Sequence, residues 1–89
     1  MQVTLYSKPS CHLCSDLKAD LLPLQAEFGF ALLERNIEED AEDFARFRYL
    51  IPVLDIAGGE LLYPPHTSYT VRRALEVAKK NANRLQTDA

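Results

Sequence analysis

Cys11-His12-Leu13-Cys14 is the segment whose residue types and spacing can do chemistry. Two thiols three positions apart on a helix lie almost one turn apart, close enough to bond without backbone movement. A thiol at a helix start faces the unpaired N–H groups of the opening turn and the positive end of the helix dipole. The dipole interaction is worth roughly 0.3–1 kcal/mol. One pKa unit corresponds to about 1.36 kcal/mol, so the dipole alone lowers the thiol by less than about one unit. Direct hydrogen bonds to sulfur and a nearby cation must supply the rest, and Lys8, three residues upstream, is the candidate cation. The thiolate is the attacking species, so Cys11 reads as the attacking thiol and Cys14 as the resolving thiol. His12 reads either as an exposed tuner of Cys11 or as a bystander. The same pair is also half of a zinc knuckle. The other half of such a site is missing, because only His12 and His66 remain as further soft ligands. Sharing an iron–sulfur cluster between two chains through Cys11 is a third use of the thiol.

These cysteines need a strand and a turn before them and a helix after them, and the pattern supplies both. Val3 to Tyr6 is β-prone and reads as a buried strand, followed by the turn Ser7-Lys8-Pro9-Ser10. Ser10 is a favourable N-cap, so a helix is expected from Cys11. Leu13, Leu17, Leu21, Leu24 and Phe28 give it one apolar stripe, and Gly29 stops it. Pro23 inside this pattern predicts a kink or an early end. Ala31 to Arg35 is a second strand. Asp40-Ala41-Glu42-Asp43 opens a short helix with Phe44 and Phe47 as its buried edge. Val53 to Ile56 and Glu60 to Tyr63 are strands joined by the Gly58-Gly59 turn. Thr67 or Ser68 caps a last helix with Val71, Ala74, Leu75, Ala78, Ala82 and Leu85 inward. The order is β-α-β-α-β-β-α: an α/β fold with a four-stranded mixed sheet flanked by helices. Its first two strands should be parallel and its last two antiparallel.

A chain of 89 residues fits a single domain, residues 1–89, with one modest core from its 47% hydrophobic residues. A net charge of −3 speaks against nucleic-acid binding, which needs a basic face. No apolar run approaches the roughly 18 residues of a membrane span. The N-terminal residues lack the basic and apolar regions of a signal peptide. The expected compartment is therefore the cytoplasm, where stable structural disulfides are rare and a close cysteine pair points to redox or metal chemistry.

Tyr6-Ser7-Lys8-Pro9-Ser10-Cys11-His12-Leu13-Cys14 resembles the active-site segment of glutaredoxins, in the thioredoxin superfamily. Ile51-Pro52, leading into Val53-Leu54-Asp55-Ile56, is similar to the cis-proline segment of thioredoxins and glutaredoxins. The resemblance covers nearly the whole chain, since the element order also matches. It implies a thioredoxin-like fold and a dithiol–disulfide oxidoreductase working through a mixed disulfide. It further implies a cis Pro52 beside the cysteines, with the Ile51 backbone pairing to an extended substrate. Substrate-side residues are then Lys8, His12, Ile51, Pro52 and His66. The expected partners are a disulfide-bearing protein or small thiol and a glutathione or thioredoxin-type reducing system. The protein is expected to act as a monomer with no tightly bound cofactor. Leu50-Ile51-Pro52 stands where glutaredoxins have Thr-Val-Pro. Tyr63-Pro64-Pro65-His66-Thr67-Ser68 stands where they carry a Gly-Gly segment that holds a glutathione carboxylate. Pro64 and Pro65 have no N–H to offer, so glutathione is expected to be an inefficient reductant. A thioredoxin-fold docking module without turnover, or a metal site on the cysteine pair, is the alternative function.

Overall fold

The computed structural model describes the backbone of residues 1–87 and the side chains of residues 1–82. Strand β1 (Gln2–Ser7) leads into helix α1 (His12–Phe28), and β2 (Ala31–Asn36) follows. A 3-10 turn at Ile37–Glu39 precedes helix α2 (Ala41–Phe47). Strands β3 (Val53–Ile56) and β4 (Leu61–Leu62) and helix α3 (Ser68–Thr87) complete the β-α-β-α-β-β-α order. The sheet runs β2-β1-β3-β4, with β1 and β2 parallel and the other two pairs antiparallel.

Alternation along the strands sends side chains to two different layers. Val3 and Leu5 of β1 and Leu54 and Ile56 of β3 face the larger core. There they meet Leu17 and Leu21 of α1 and Val71, Ala74, Leu75 and Ala78 of α3. Tyr6 and Val53 point the other way, onto Ile37 and Phe47. The Tyr6 and Phe47 rings meet with centroids 4.6 Å apart.

Several local expectations change. Ser10 is not the cap of α1. It sits in the left-handed region at φ 65°, so the extended N-cap conformation falls to Cys11 at φ −92°, ψ 106°. Leu13 is 63% exposed, and the inner place at the helix start is taken by Cys14, which is 3% exposed. A cysteine packs as a small hydrophobe, so the buried stripe runs from Cys14 through Leu17 and Leu21. Helix α1 continues through Pro23 without an early end. Leu24 and Phe28 beyond it pack on the core, and that tertiary packing holds the segment helical despite the lost backbone bond. Gly29 stops the helix as expected, at φ 73° with its N–H donating to the Gln25 carbonyl at 2.8 Å.

Phe44 is 39% exposed, because α2 turns Asp43 inward instead. Strand β4 spans only two residues. Thr67 takes the α3 cap: its Oγ1 accepts the Thr70 N–H at 3.0 Å, and the Thr67 N–H donates back to Thr70 Oγ1 at 3.1 Å. Ala82 is exposed, and the Leu85 side chain lies outside the described residues. Among the described residues no helix is long and apolar enough to cross a membrane.

Candidate functional site

Strand register places the site. Tyr6 pairs with Val53 across the antiparallel β1–β3 ladder. The residues just beyond, Ser7 on one strand and Pro52 on the other, therefore lie at the same end of the sheet. The turn that leads to Cys11 leaves from Ser7, so the ladder brings the segment before β3 to the end of the sheet that carries the cysteines.

Cys11 and Cys14 are joined by a disulfide, with Cα atoms 5.2 Å apart. Cys11 is half-buried and Cys14 is buried. The Cys14 N–H donates to Cys11 Sγ at 3.1 Å, and the Ser15 N–H donates to the Cys11 carbonyl at 3.1 Å. The sulfur of Cys11 is thus the side-chain cap of α1. An N–H pointed at sulfur favours a thiolate there over a thiol, in the same sense as the helix dipole. The buried Cys14 has no such advantage.

The Ile51–Pro52 peptide is cis, as the resemblance implies, and Pro64–Pro65 is cis as well. Pro52 is buried and Ile51 half-buried. His66 reaches across to this segment: its Nε2 lies 2.6 Å from the Pro52 carbonyl oxygen. A carbonyl only accepts, so Nε2 is the donor in this contact. Pro65 and His66 are thereby fastened to the proline that stands beside the disulfide.

The remaining expected residues are exposed. Lys8 lies on the turn and makes no hydrogen bond or ion pair among the described residues. It opens onto a polar cavity of about 710 Å³ shared with Ser10, Ser15, Glu34, Arg35 and Asp40. His12 is exposed and meets Asp16 Oδ2 at 3.4 Å.

Polar groups that the sequence did not single out surround the turn. Buried Ser7 donates from Oγ to Glu34 Oε2 at 3.3 Å, and Lys18 Nζ donates to Glu34 Oε1 at 3.1 Å. Arg35 Nε donates to the buried Asp43 Oδ2 at 2.9 Å. No sequence signal marks Ser7 or Asp43, since both are defined by partners on other elements. On the opposite flank, Leu13, Asp16, Leu17 and Asp20 line an apolar groove of about 430 Å³, closed by Pro52, Pro64, Pro65 and His66. Their i, i+3, i+4, i+7 spacing was a readable signal of a second face on α1. No group of three or more His, Cys, Asp or Glu side chains among the described residues is placed to hold a metal ion.

Residues 2–76 match the family model described as glutaredoxin-like domain (DUF836). Among solved structures the chain is similar to Northeast Structural Genomics target protein XcR50 from X. campestris, an X-ray structure. The two are 31% identical with a TM-score of 0.70, over 83% of this chain and 95% of that one. No curated protein matches.

Proposed function

The chain belongs to the glutaredoxin-like domain family, and from that premise we propose that it is a dithiol–disulfide oxidoreductase. The observation that carries the reading is the Cys11–Cys14 disulfide at the start of α1, with Cys11 Sγ accepting the Cys14 N–H.

In the reduced protein the Cys11 thiolate attacks one sulfur of a substrate disulfide. A mixed disulfide forms, and the second substrate sulfur leaves as a thiolate and takes a proton. Cys14 is deprotonated and attacks Cys11 Sγ. The Cys11–substrate bond breaks, the remaining substrate thiol is released, and the intramolecular disulfide is left. Two electrons pass from the cysteine pair to the substrate. An external thiol reductant then returns the pair to the dithiol.

Burial assigns the two roles. The sulfur within solvent reach is the one that can meet a substrate, and the shielded sulfur meets only its neighbour. The Ile51 N–H already donates to the Phe47 carbonyl at 3.1 Å, so the Ile51 carbonyl is the backbone group left to accept from an extended substrate chain beside the buried Pro52. Lys8 would attract a substrate carboxylate from the solvent side, and His12 would tune the field around Cys11. His66 holds the Pro52 segment. Glutathione is a poor reductant on this reading, because Pro64 and Pro65 supply no N–H for its second carboxylate. Losing one charge-assisted contact corresponds to roughly 1.5–3 kcal/mol, about ten- to a hundredfold in affinity. The protein works as a cytoplasmic monomer without a bound cofactor.

A redox titration of the Cys11–Cys14 pair against a dithiol buffer tests the reading, and a single two-electron midpoint is expected. Cys14→Ser should trap mixed disulfides at Cys11, and Cys11→Ser should trap none. Equal alkylation of Cys11 and Cys14 in these single variants would refute the assignment of roles. Turnover with glutathione at the level of an ordinary dithiol glutaredoxin would refute the electron-donor part alone.

A further inference from the structure

The groove beside the disulfide has a composition that selects among substrates. Its floor is apolar: Leu13, Leu17 and Pro52, with Pro64 and Pro65 as the far wall. Leu13 belongs to the Cys11–Cys14 segment itself and stands 63% exposed, so the groove begins at the chain neighbour of Cys14. The loop wall is two consecutive prolines, which cannot donate a main-chain N–H to a bound chain. Contacts on that side must therefore be made by side chains. On the helix wall stand two carboxylates, Asp16 and Asp20, one turn apart. Asp16 meets only the imidazole of His12, and Asp20 has no ion pair among the described residues. No lysine or arginine lines the groove. It continues into a second hollow of about 490 Å³ along the α1–α3 seam, sharing Leu17, Asp20 and His66. There a charge balance does exist: Arg72 holds Glu27 through two bonds of 2.6 and 2.9 Å. The unbalanced carboxylates, Asp16 and Asp20, thus both line the groove, and Asp20 stands where it meets the second hollow.

Resting on the oxidoreductase reading, we infer that this groove takes an extended protein segment in which an apolar residue and a basic residue flank the reactive cysteine. The apolar side chain covers Leu13, Leu17 and the prolines. The lysine or arginine sets its charge between Asp16 and Asp20. A segment with carboxylates in that position is repelled, and so is a glutathione mixed disulfide approaching from this flank, because the tripeptide carries two carboxylates. Like charges across an interface suppress a wrong partner as effectively as opposite charges favour the right one.

The test uses pre-reduced protein and three synthetic peptides, each with one cysteine held as a mixed disulfide with the same small thiol. One places leucine and arginine beside the cysteine, one leucine and glutamate, and one serine and arginine. The rate of thiol release is read at low salt. The leucine–arginine peptide is expected to react about five- to tenfold faster than the leucine–glutamate peptide, the effect of two exposed charge pairs. The advantage should shrink at high ionic strength. The serine–arginine peptide should be about threefold slower than the leucine–arginine peptide for want of apolar contact. The double variant Asp16→Lys/Asp20→Lys should invert the arginine–glutamate order. The same charge change at Glu60 and Glu76, which do not line the groove, should leave the order as it was. A wild-type ratio within twofold of one overturns the inference, as does an inversion produced equally by the Glu60 and Glu76 changes. Release from no peptide at all would instead overturn the oxidoreductase reading beneath it.

Discussion

The two faces of the sheet are built differently. One carries α1 and α3 on eleven buried apolar residues, ten from β1, β3 and the two helices and the eleventh Phe30, just before β2. The other carries α2 on four, Tyr6, Ile37, Phe47 and Val53, and polar contacts supplement them. Arg35 reaches Asp43 at 2.8 Å and Asp40 at 3.5 Å and lies 5.9 Å from the centre of the Tyr6 ring. Farther along this face the paired residues are Thr4 and Asp55, both half-buried and neither apolar. Apolar burial scales with area, so the first face is held far more firmly than the second. The cysteines stand on a helix of the firm face. The chain that leads into Ile51 and Pro52 comes from the helix of the thin one. The sulfurs therefore sit on the more heavily buried face, and the Ile51–Pro52 segment is reached from the more thinly packed one.

The contrast breaks or holds under four measurements. The largest effect is expected for Leu21→Ala, which empties a fully buried place between α1 and the sheet. Such truncations cost about 3–5 kcal/mol where the surroundings cannot collapse, and urea unfolding should show the loss for the whole molecule at once. Phe47→Ala removes the main anchor of α2 and should cost less, about 3 kcal/mol. Its loss is capped by the free energy that docks α2. Amide exchange should rise in residues 41–48 and stay slow in α1 and α3. Uniform exchange across all three helices would show that the two faces open together.

A smaller effect is expected for Thr67→Ala. It removes the reciprocal Thr67–Thr70 cap and should lower stability by about 1 kcal/mol. Urea unfolding of the variant checks the size. The smallest effect is one of pH. The Asp43 N–H, then the Glu42 N–H and the charge of Arg35, hold the Asp40 carboxyl below its ordinary value. A lowered folded pKa means this contribution is complete above the unfolded value of about 3.9 and disappears as pH falls through the lower folded one. Exchange protection in α2 should therefore fall below about pH 4 before that in α1. Loss in both helices at one pH would contradict it.

Much of this was legible from residue order. The cysteine spacing, the β-prone runs, Gly29, the Gly58-Gly59 turn and the Ile51-Pro52 segment all specify local geometry, and local geometry is what a linear pattern encodes. What escaped the pattern depended on partners far along the chain. Asp43 reads as a solvated charge until Arg35 is placed against it. His66 reads as a loop residue until the fold brings it to a carbonyl fourteen positions away. Leu13 failed for a subtler reason. Beginning the stripe at Leu13 or at Cys14 both satisfy helical spacing, and the choice between them rests on how the helix is rotated against the sheet. The left-handed Ser10, which moves the cap to Cys11, is likewise not announced by the residue types.

The order β2-β1-β3-β4 leaves two strands with one unpaired side, and each is guarded in its own way. Strand β4 is two residues long and is followed at once by Tyr63 and two prolines, so it presents almost no backbone for another molecule to extend. Strand β2 is six residues long, and although Leu33 is exposed, Glu34 and Arg35 directly after it put charge on the strand. Short or charged borders of this kind resist the stacking of one sheet onto the next that leads to fibres. The safeguard against such growth lies in the outermost strands rather than in the core.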